Sequence, residues 1–424
     1  MRVRVPRAPL LFPAAWLVVL AALPLAARPA RAGTEEFSTF SVELQEEDDE
    51  SLIDHILNRT PRAWHDEWDR STLAIRTSQG CLTSGQWINE TDLKLRSSLG
   101  GRAWFGFDLT QSESDRLSYQ FTDFSFHVPT RFGTPGYMFR PFHDKSRQDM
   151  AFMWDVGDDT TAFHLRAVMG LEDVFNNFWE FRQSRVGNVG FEPYEKHPWE
   201  PGVSVAWRGE RLRAELGGRY LTPSRKRHIV SQYLPQLDRI STLWGTLAWA
   251  SLEGRVLGIT WEARGANRQA RSTDFPADTL QPDGANFRRQ WSAEAALHRQ
   301  ITPELGAEAR VVYQDRTQQH ALPVDPPRFV GVDRVLQLET TWTPTPWFGL
   351  RVGALHDRIT IQQSAISTSV YSWGTRTEKR LYLGAIFRAG RVSLQGIEGI
   401  ELDHEPYEVV GVHDKGFLQL QATF

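Results

Sequence analysis

The chain ends on an unbroken alternation. Leu418, Leu420, Ala422 and Phe424 occupy one parity, and Gln419, Gln421 and Thr423 the other. A period of two places every second side chain on the same side of an extended backbone, so this segment is predicted to be a strand with one apolar face. The pattern recurs upstream. Leu305, Ala307, Ala309, Val311 and Tyr313 interleave with Gly306, Glu308, Arg310 and Gln314; Leu212, Ala214, Leu216 and Tyr220 interleave with Arg211, Arg213, Glu215 and Arg219. Met150, Phe152, Trp154 and Val156 alternate with Asp149, Ala151 and Asp155, and Phe163, Leu165, Ala167 and Met169 with His164 and Arg166.

Turn chemistry separates these segments, and the separations alternate between short and long. Short connections are predicted at Gly157-Asp158-Asp159, Arg208-Gly209-Glu210, Leu252-Glu253-Gly254, 300–303, 343–346 and Ala389-Gly390; long polar ones lie around 128–147, 170–200, 222–240, 265–286, 317–332, 361–375 and 401–415. Short turns at one end and long loops at the other are the habit of transmembrane barrels, with the short side periplasmic. The predicted fold is all-β: a transmembrane antiparallel up-and-down β-barrel of about sixteen strands from about Asn89 onward. Segment 71–77 (STLAIRT) is also strand-like. Because single-chain bacterial barrels have even strand numbers, it either pairs with 84–88 to give about eighteen strands or stays periplasmic.

Aromatic residues follow the same parity. Trp154, Trp207, Trp249, Trp261, Trp291, Trp342, Tyr220 and Tyr313 fall on the apolar side, several near strand ends, where rings with an apolar body and one polar group suit a headgroup boundary. A water-soluble sandwich or propeller would also bury aromatics, but it has no need of alternating loop lengths or of a terminal aromatic. The closing segment GFLQLQATF, with its alternation and terminal Phe424, resembles the last strand of Gram-negative outer-membrane β-barrel proteins of the porin-like kind. That resemblance implies location in the outer membrane, contact with its lipid, and delivery by the barrel-assembly machinery through Phe424 as assembly signal. It matches no particular subfamily and implies no solute.

The N-terminus fits export. Arg2, Arg4 and Arg7 precede an apolar run from Ala8 to Leu25, and Ala30-Arg31-Ala32 offers small residues for cleavage before Gly33, so 1–32 reads as a signal peptide. Its removal takes five arginines and no acid, moving the net charge from −4 to −9. Nine acids and no basic residue lie between Gly33 and Asp54; the rest of the chain is formally neutral, which argues against a nucleic-acid partner. A single cysteine, Cys81, excludes an internal disulfide. The mean hydropathy of −0.42 reflects strands that average apolar against polar positions, and it is compatible with a barrel. Residues 33–88 read as an acidic periplasmic segment. In it Leu52, Ile53, Ile56 and Leu57 share one face of a short helix that could plug the lumen, dock a periplasmic partner, or stay a disordered tail. The barrel is then 89–424.

If the apolar parity meets lipid, the other parity faces the lumen. It carries Lys94, Arg96, Asp108, Asp149, Asp155, Arg166, Arg211, Arg213, Glu215, Arg219, Glu262, Arg264, Glu294, Glu308, Arg310, Glu339, Arg351, Asp357 and Arg380. So many charges require a wet or extensively cross-bonded interior. They serve either as the walls of a channel with ionic preference or as a guanidinium–carboxylate lattice that stiffens the sheet. Arg211, Arg213 and Arg219 suggest an anion-attracting stripe, with Glu215 inside it. The long segment 170–200 holds Phe178, Trp179, Phe181, Tyr194 and Trp199, a candidate gate or binding surface. No G-x-S-x-G or H-E-x-x-H motif occurs, and no cofactor or metal is expected. The expected function is a passive, porin-like channel for small polar or charged solutes through an Arg-rich lumen. The alternative is a non-conducting scaffold or receptor barrel that binds a periplasmic or extracellular partner.

Overall fold

The computed structural model describes residues 71–81, 87–99, 103–114, 118–140, 148–157, 161–172, 194–229, 238–276, 284–321, 328–364, 371–402 and 413–424. Residues 1–32, read from the sequence as a signal peptide, and residues 33–70 lie outside them. The strands form one antiparallel sheet. Its first side consists of β1 (Leu73–Cys81), β2 (Trp87–Ser98), β3 (Trp104–Ser114), β4 (Ser118–His127), β5 (Thr134–Phe139), β6 (Gln148–Val156), β7 (Phe163–Glu172), β8 (Tyr194–Lys196) and β9 (Trp199–Arg208). It continues through β10 (Leu212–His228), β11 (Arg239–Val256), β12 (Ile259–Pro276), β13 (Gly284–Gln300) and β14 (Leu305–Ala321). The last strands are β15 (Arg328–Thr345), β16 (Phe348–Ser364), β17 (Tyr371–Ala389), β18 (Val392–Glu401) and β19 (His413–Thr423).

Both β8 and β9 lie on β10, through Arg225↔Lys196 and Arg213↔Arg208, so they are two pieces of one stave. Pro198, which has no amide hydrogen to give the ladder, stands in the gap. The staves therefore number eighteen. The ring closes where β1 pairs with β19 from Ala74↔Thr423 to Gly80↔Phe417, leaving no edge strand to hydrocarbon. The N–H of Phe424 donates to the carbonyl of Leu73 at 2.7 Å, which puts both ends of the barrel on the rim that carries the short turns, the periplasmic rim.

Of the two courses open to segment 71–77, it takes the one that gives eighteen strands: it is part of a sealing stave, and the barrel begins at Leu73. The connection anticipated at 128–147 contains β5, which pairs with β4 and β6; its inward face carries Met138, so no apolar/polar alternation marked it.

Register sorts the two faces. Phe152, Trp154, Val203, Val205, Trp207, Leu216, Val311, Leu336, Leu338, Val352, Leu381, Leu383, Leu418 and Leu420 all point outward and are exposed. On β9 the outward Trp199 and Trp207 are eight positions apart. At about 3.3 Å per residue and a barrel strand's tilt, that is about 20 Å of height, close to the apolar band of an outer-membrane barrel. Trp154, Trp207, Trp342 and Phe424 mark the periplasmic boundary, and Trp199, Tyr220, Trp291 and Tyr313 the outer one; Trp291 and Tyr313 meet edge-on at 6.1 Å. Trp249 is an exception to the lipid-facing set: it lies opposite Gly217, on the face of Glu215 and Arg219, and looks inward.

Strands β10 to β17 have 17 to 19 residues, against 9 to 12 for β1 to β3 and 10 to 11 for β18 and β19. One wall thus stands well above the membrane, and stretches expected as loops (265–286, 317–332, 361–375) are strand over more than half of their length, as is 222–228 at the start of 222–240. The tight turn anticipated at Leu252-Glu253-Gly254 falls instead at Leu257-Gly258, where both residues have positive φ (51° and 78°). A two-residue hairpin of this hand requires that conformation, usually supplied by Asn-Gly; a leucine in first place hid it.

Closure by β1 is directly testable. With Cys81 replaced by serine, a cysteine pair at Ile75 and Ala422, register partners on the two sealing strands, should form a disulfide in the assembled barrel. An unchanged mobility on non-reducing gels after mild oxidation would contradict the seal.

Candidate functional site

The inward face from β12 to β18 carries two clusters of bonded polar side chains. Arg310, on β14, gathers three carboxylates: Glu308 at 2.5 Å, Glu262 at 3.6 Å, and Glu294 in direct contact. One stave further on, Glu339 takes a bidentate pair from Arg351, with Nε donating to Oε1 at 3.0 Å and Nη2 to Oε2 at 2.7 Å. The hydroxyl of Tyr382 donates to the same carboxylate at 2.7 Å and accepts from Gln337 at 2.8 Å. Arg351 Nη1 reaches across a stave to Gln395 at 2.9 Å. Gly353 makes room for this arrangement: a Cβ there would run into the Tyr382 ring. Planar guanidinium and carboxylate groups match as two-pronged partners, which is why arginine rather than lysine holds these positions.

The same solution recurs around the ring. Arg96 meets Asp108 at 2.8 Å, Arg76 meets Asp92, Arg140 clasps Asp123, and Asp155 receives Arg166 at 2.6 Å and lies 3.1 Å from His164. Lys94, inward and buried, lies opposite Asp108. Arg316 pairs with Asp333 at 2.9 Å, and on the outward face Arg227 pairs with Asp238 at 2.9 Å. Asp357 and Arg380 are inward and buried. Asp149 lies in β6, and its side chain is outside what the structure describes.

The arginines proposed as a stripe are not alike. Arg211 sits on the turn before β10, Arg213 lies between Arg208 and Glu253, and Arg219 pairs with Glu200 at 3.4 Å beneath the face of Trp249. Glu215 lies 3.5 Å from the indole nitrogen of Trp249. Acids interleave with these arginines from both neighbouring strands. Arg264 contrasts with all of them: it faces inward opposite Glu294 and Ser251, and its side chain is 55% exposed, 3.6 Å from Glu262.

Three inward apolar patches interrupt the polar wall: Val312, Val335, Leu355, Tyr382 and Ile397; Leu221, Leu247 and Ala270; and Met138, Ala151, Met153 and Val168. The interior is therefore not uniformly wet. Of the aromatic loop candidates, Phe178, Trp179 and Phe181 lie outside the described residues. Tyr194 is buried at the start of β8, with Lys226 over its ring at 4.5 Å, whereas Trp199 points outward at the lipid boundary and does not join it. Sequence reasoning missed Glu200, Trp249, Gln337, Tyr382 and Gln395. Tyr382 carried a usable signal, since it shares parity with Arg380 and opposes that of Leu381 and Leu383.

A closed antiparallel barrel with an apolar girdled exterior and a charged interior is an outer-membrane β-barrel, and its place is the outer membrane of a Gram-negative cell. No protein-family model matches the sequence, nor does any curated protein. Among solved structures, the chain is similar to CdiB from Acinetobacter baumannii (9% identity, TM-score 0.44, covering 83% of this chain and 60% of that one). It is also similar to CdiB from Escherichia coli (12%, 0.41, 83% and 63%) and to OccD3 (OpdP) of Pseudomonas aeruginosa (12%, 0.38, 84% and 91%). The chain spans less than two thirds of the length of either CdiB. At these identities no residue role passes from one chain to the other.

Removing one partner of the Glu339–Arg351 pair leaves a buried charge uncompensated. Arg351→Met should destabilise the folded barrel by about 3–5 kcal/mol, and the double variant Arg351→Met/Glu339→Leu by clearly less. Urea unfolding in lipid vesicles reads both; a double variant as unstable as Arg351→Met would show that the stranded Glu339 charge is not the cause of the loss.

Proposed function

We propose that this barrel is a passive channel for small polar or charged solutes, without a catalytic step of its own. The observation that carries the reading is Arg264: a lumen-facing guanidinium more than half exposed needs water beside it, because a charge of that exposure in a dry cavity would be prohibitively costly. Arg96, Arg166 and Arg316, Glu294 and Glu308, each partly exposed on the same face, extend the wetted wall. Fixed charges of both signs, close to balance, favour modest ionic selectivity over a strong preference for either sign.

The second reading, a non-conducting scaffold or receptor, draws on a specific observation too. Arg351, Asp357, Arg380 and Gln395 are inward yet almost fully buried, beside an apolar patch, as expected of a wall built for stiffness. In this reading the acidic segment before the barrel is the natural handle for a periplasmic partner, and barrel-assembly machinery would deliver the protein in either case.

Planar-bilayer recording separates the two. A channel gives discrete conductance steps, and Arg264→Glu should move its reversal potential in a salt gradient toward cation preference. A folded protein that stays silent across a range of voltages would overturn the channel and leave the scaffold.

A further inference from the structure

The outward face of β14 to β17 changes chemistry at one height. On β14 the apolar run ends at Tyr313 and is followed by Asp315; on β15 Leu338 and Leu336 give way to Arg334. On β16 Val352 and Ala354 are followed by His356 and Arg358, and on β17 Leu383 and Leu381 by Lys379. The basic residues sit on the long-loop side, directly above the last lipid-facing apolar positions and level with the outer aromatic girdle.

Arg334 and Arg358 are direct cross-strand partners, and both are exposed. Like charges directly opposed on one face of a sheet repel each other. Neither arginine has an ion pair among the described residues; Arg334 has only the Tyr313 ring, 6.0 Å from its guanidinium carbon. The inward arginines differ: Arg310, Arg316 and Arg351 each meet a carboxylate. On the outward face, His356 and Lys379 form the next cross-strand pair. Asp315, diagonal to Arg334 through its partner Val332, is the acid nearest in register and offsets at most one of these charges.

We infer that Arg334 and Arg358, flanked by Lys379, bind the phosphate groups of an anionic outer-leaflet lipid whose acyl chains lie on Leu336, Val352 and Leu381 below. A guanidinium matches phosphate oxygens as a two-pronged donor, and an anion between the two arginines removes their repulsion. The exposed apolar surface immediately beneath selects a lipid over a free anion or a soluble protein. The site depends on the outward face alone, so it holds whether or not the lumen conducts.

Native mass spectrometry of the full-length mature protein in detergent tests this, using lipid A with both phosphates and the same lipid dephosphorylated. Wild type should hold the phosphorylated form about tenfold more tightly, the equivalent of one lost charged hydrogen bond. Arg334→Gln/Arg358→Gln should bring it down to the dephosphorylated level, while Arg299→Gln, outward near the opposite rim, should leave it unchanged. Each protein is first checked for the compact band on unheated gels. Should the glutamine pair fail that check, Arg334→Lys/Arg358→Lys replaces it and should bind several-fold more weakly than wild type. Undiminished retention by the paired variants, equal binding of both lipid forms, or displacement of the lipid by inorganic phosphate would overturn the assignment.

Discussion

Everything in this molecule depends on backbone amides and carbonyls that hydrocarbon cannot satisfy. A sheet placed in a bilayer must spend every one of these groups on a neighbouring strand, so it must have no edge. Here that condition is met at one seam, where β1 lies along β19 and the terminal Phe424 is tied to Leu73. Without that seam β1 and β19 would present unpaired ladders to lipid. The two-sided chemistry of each strand follows from closure: once the sheet is a ring, one parity has only lipid to face and the other only the enclosed space.

What fills the enclosed side is governed by the cost of charge. Isolated guanidinium or carboxylate groups are poorly tolerated in a confined interior, and the wall answers by placing opposite charges on neighbouring staves. Arg310 among Glu262, Glu294 and Glu308, and Arg351 on Glu339 with Tyr382 and Gln337, are bonded across one and two strands, so they also brace the curvature of the sheet. The apolar patches between them, and the exposed Arg264, mean that this wall is partly packed and partly wet. Arg334 and Arg358, outward at the upper boundary of the apolar belt, have no ion pair among the described residues, and in our proposal their counter-charge comes from the membrane.

The fold was largely legible in the chain because lipid and water sort side chains with a period of two. Legibility failed where that sorting stops. Above the outer girdle the ladders of β12 and β14 continue in a largely polar sequence without apolar alternation, and they read as loops. In β5, Met138 makes the inward face apolar as well, and the strand disappears into its flanks. Trp249 followed neither expectation: its ring needed the space left by Gly217, a position on the neighbouring strand.

The sequence by itself determined the strand period, the apolar and polar parity of most strands, and the closing strand, because these are local consequences of a backbone that alternates its faces. Only the tertiary structure decided that segment 71–77 seals the ring and which acid answers which arginine. It alone also placed Arg334 beside Arg358 with no ion pair to either among the described residues. Those facts depend on register between strands far apart in the chain, and register is set by closure of the whole sheet rather than by any one segment of it.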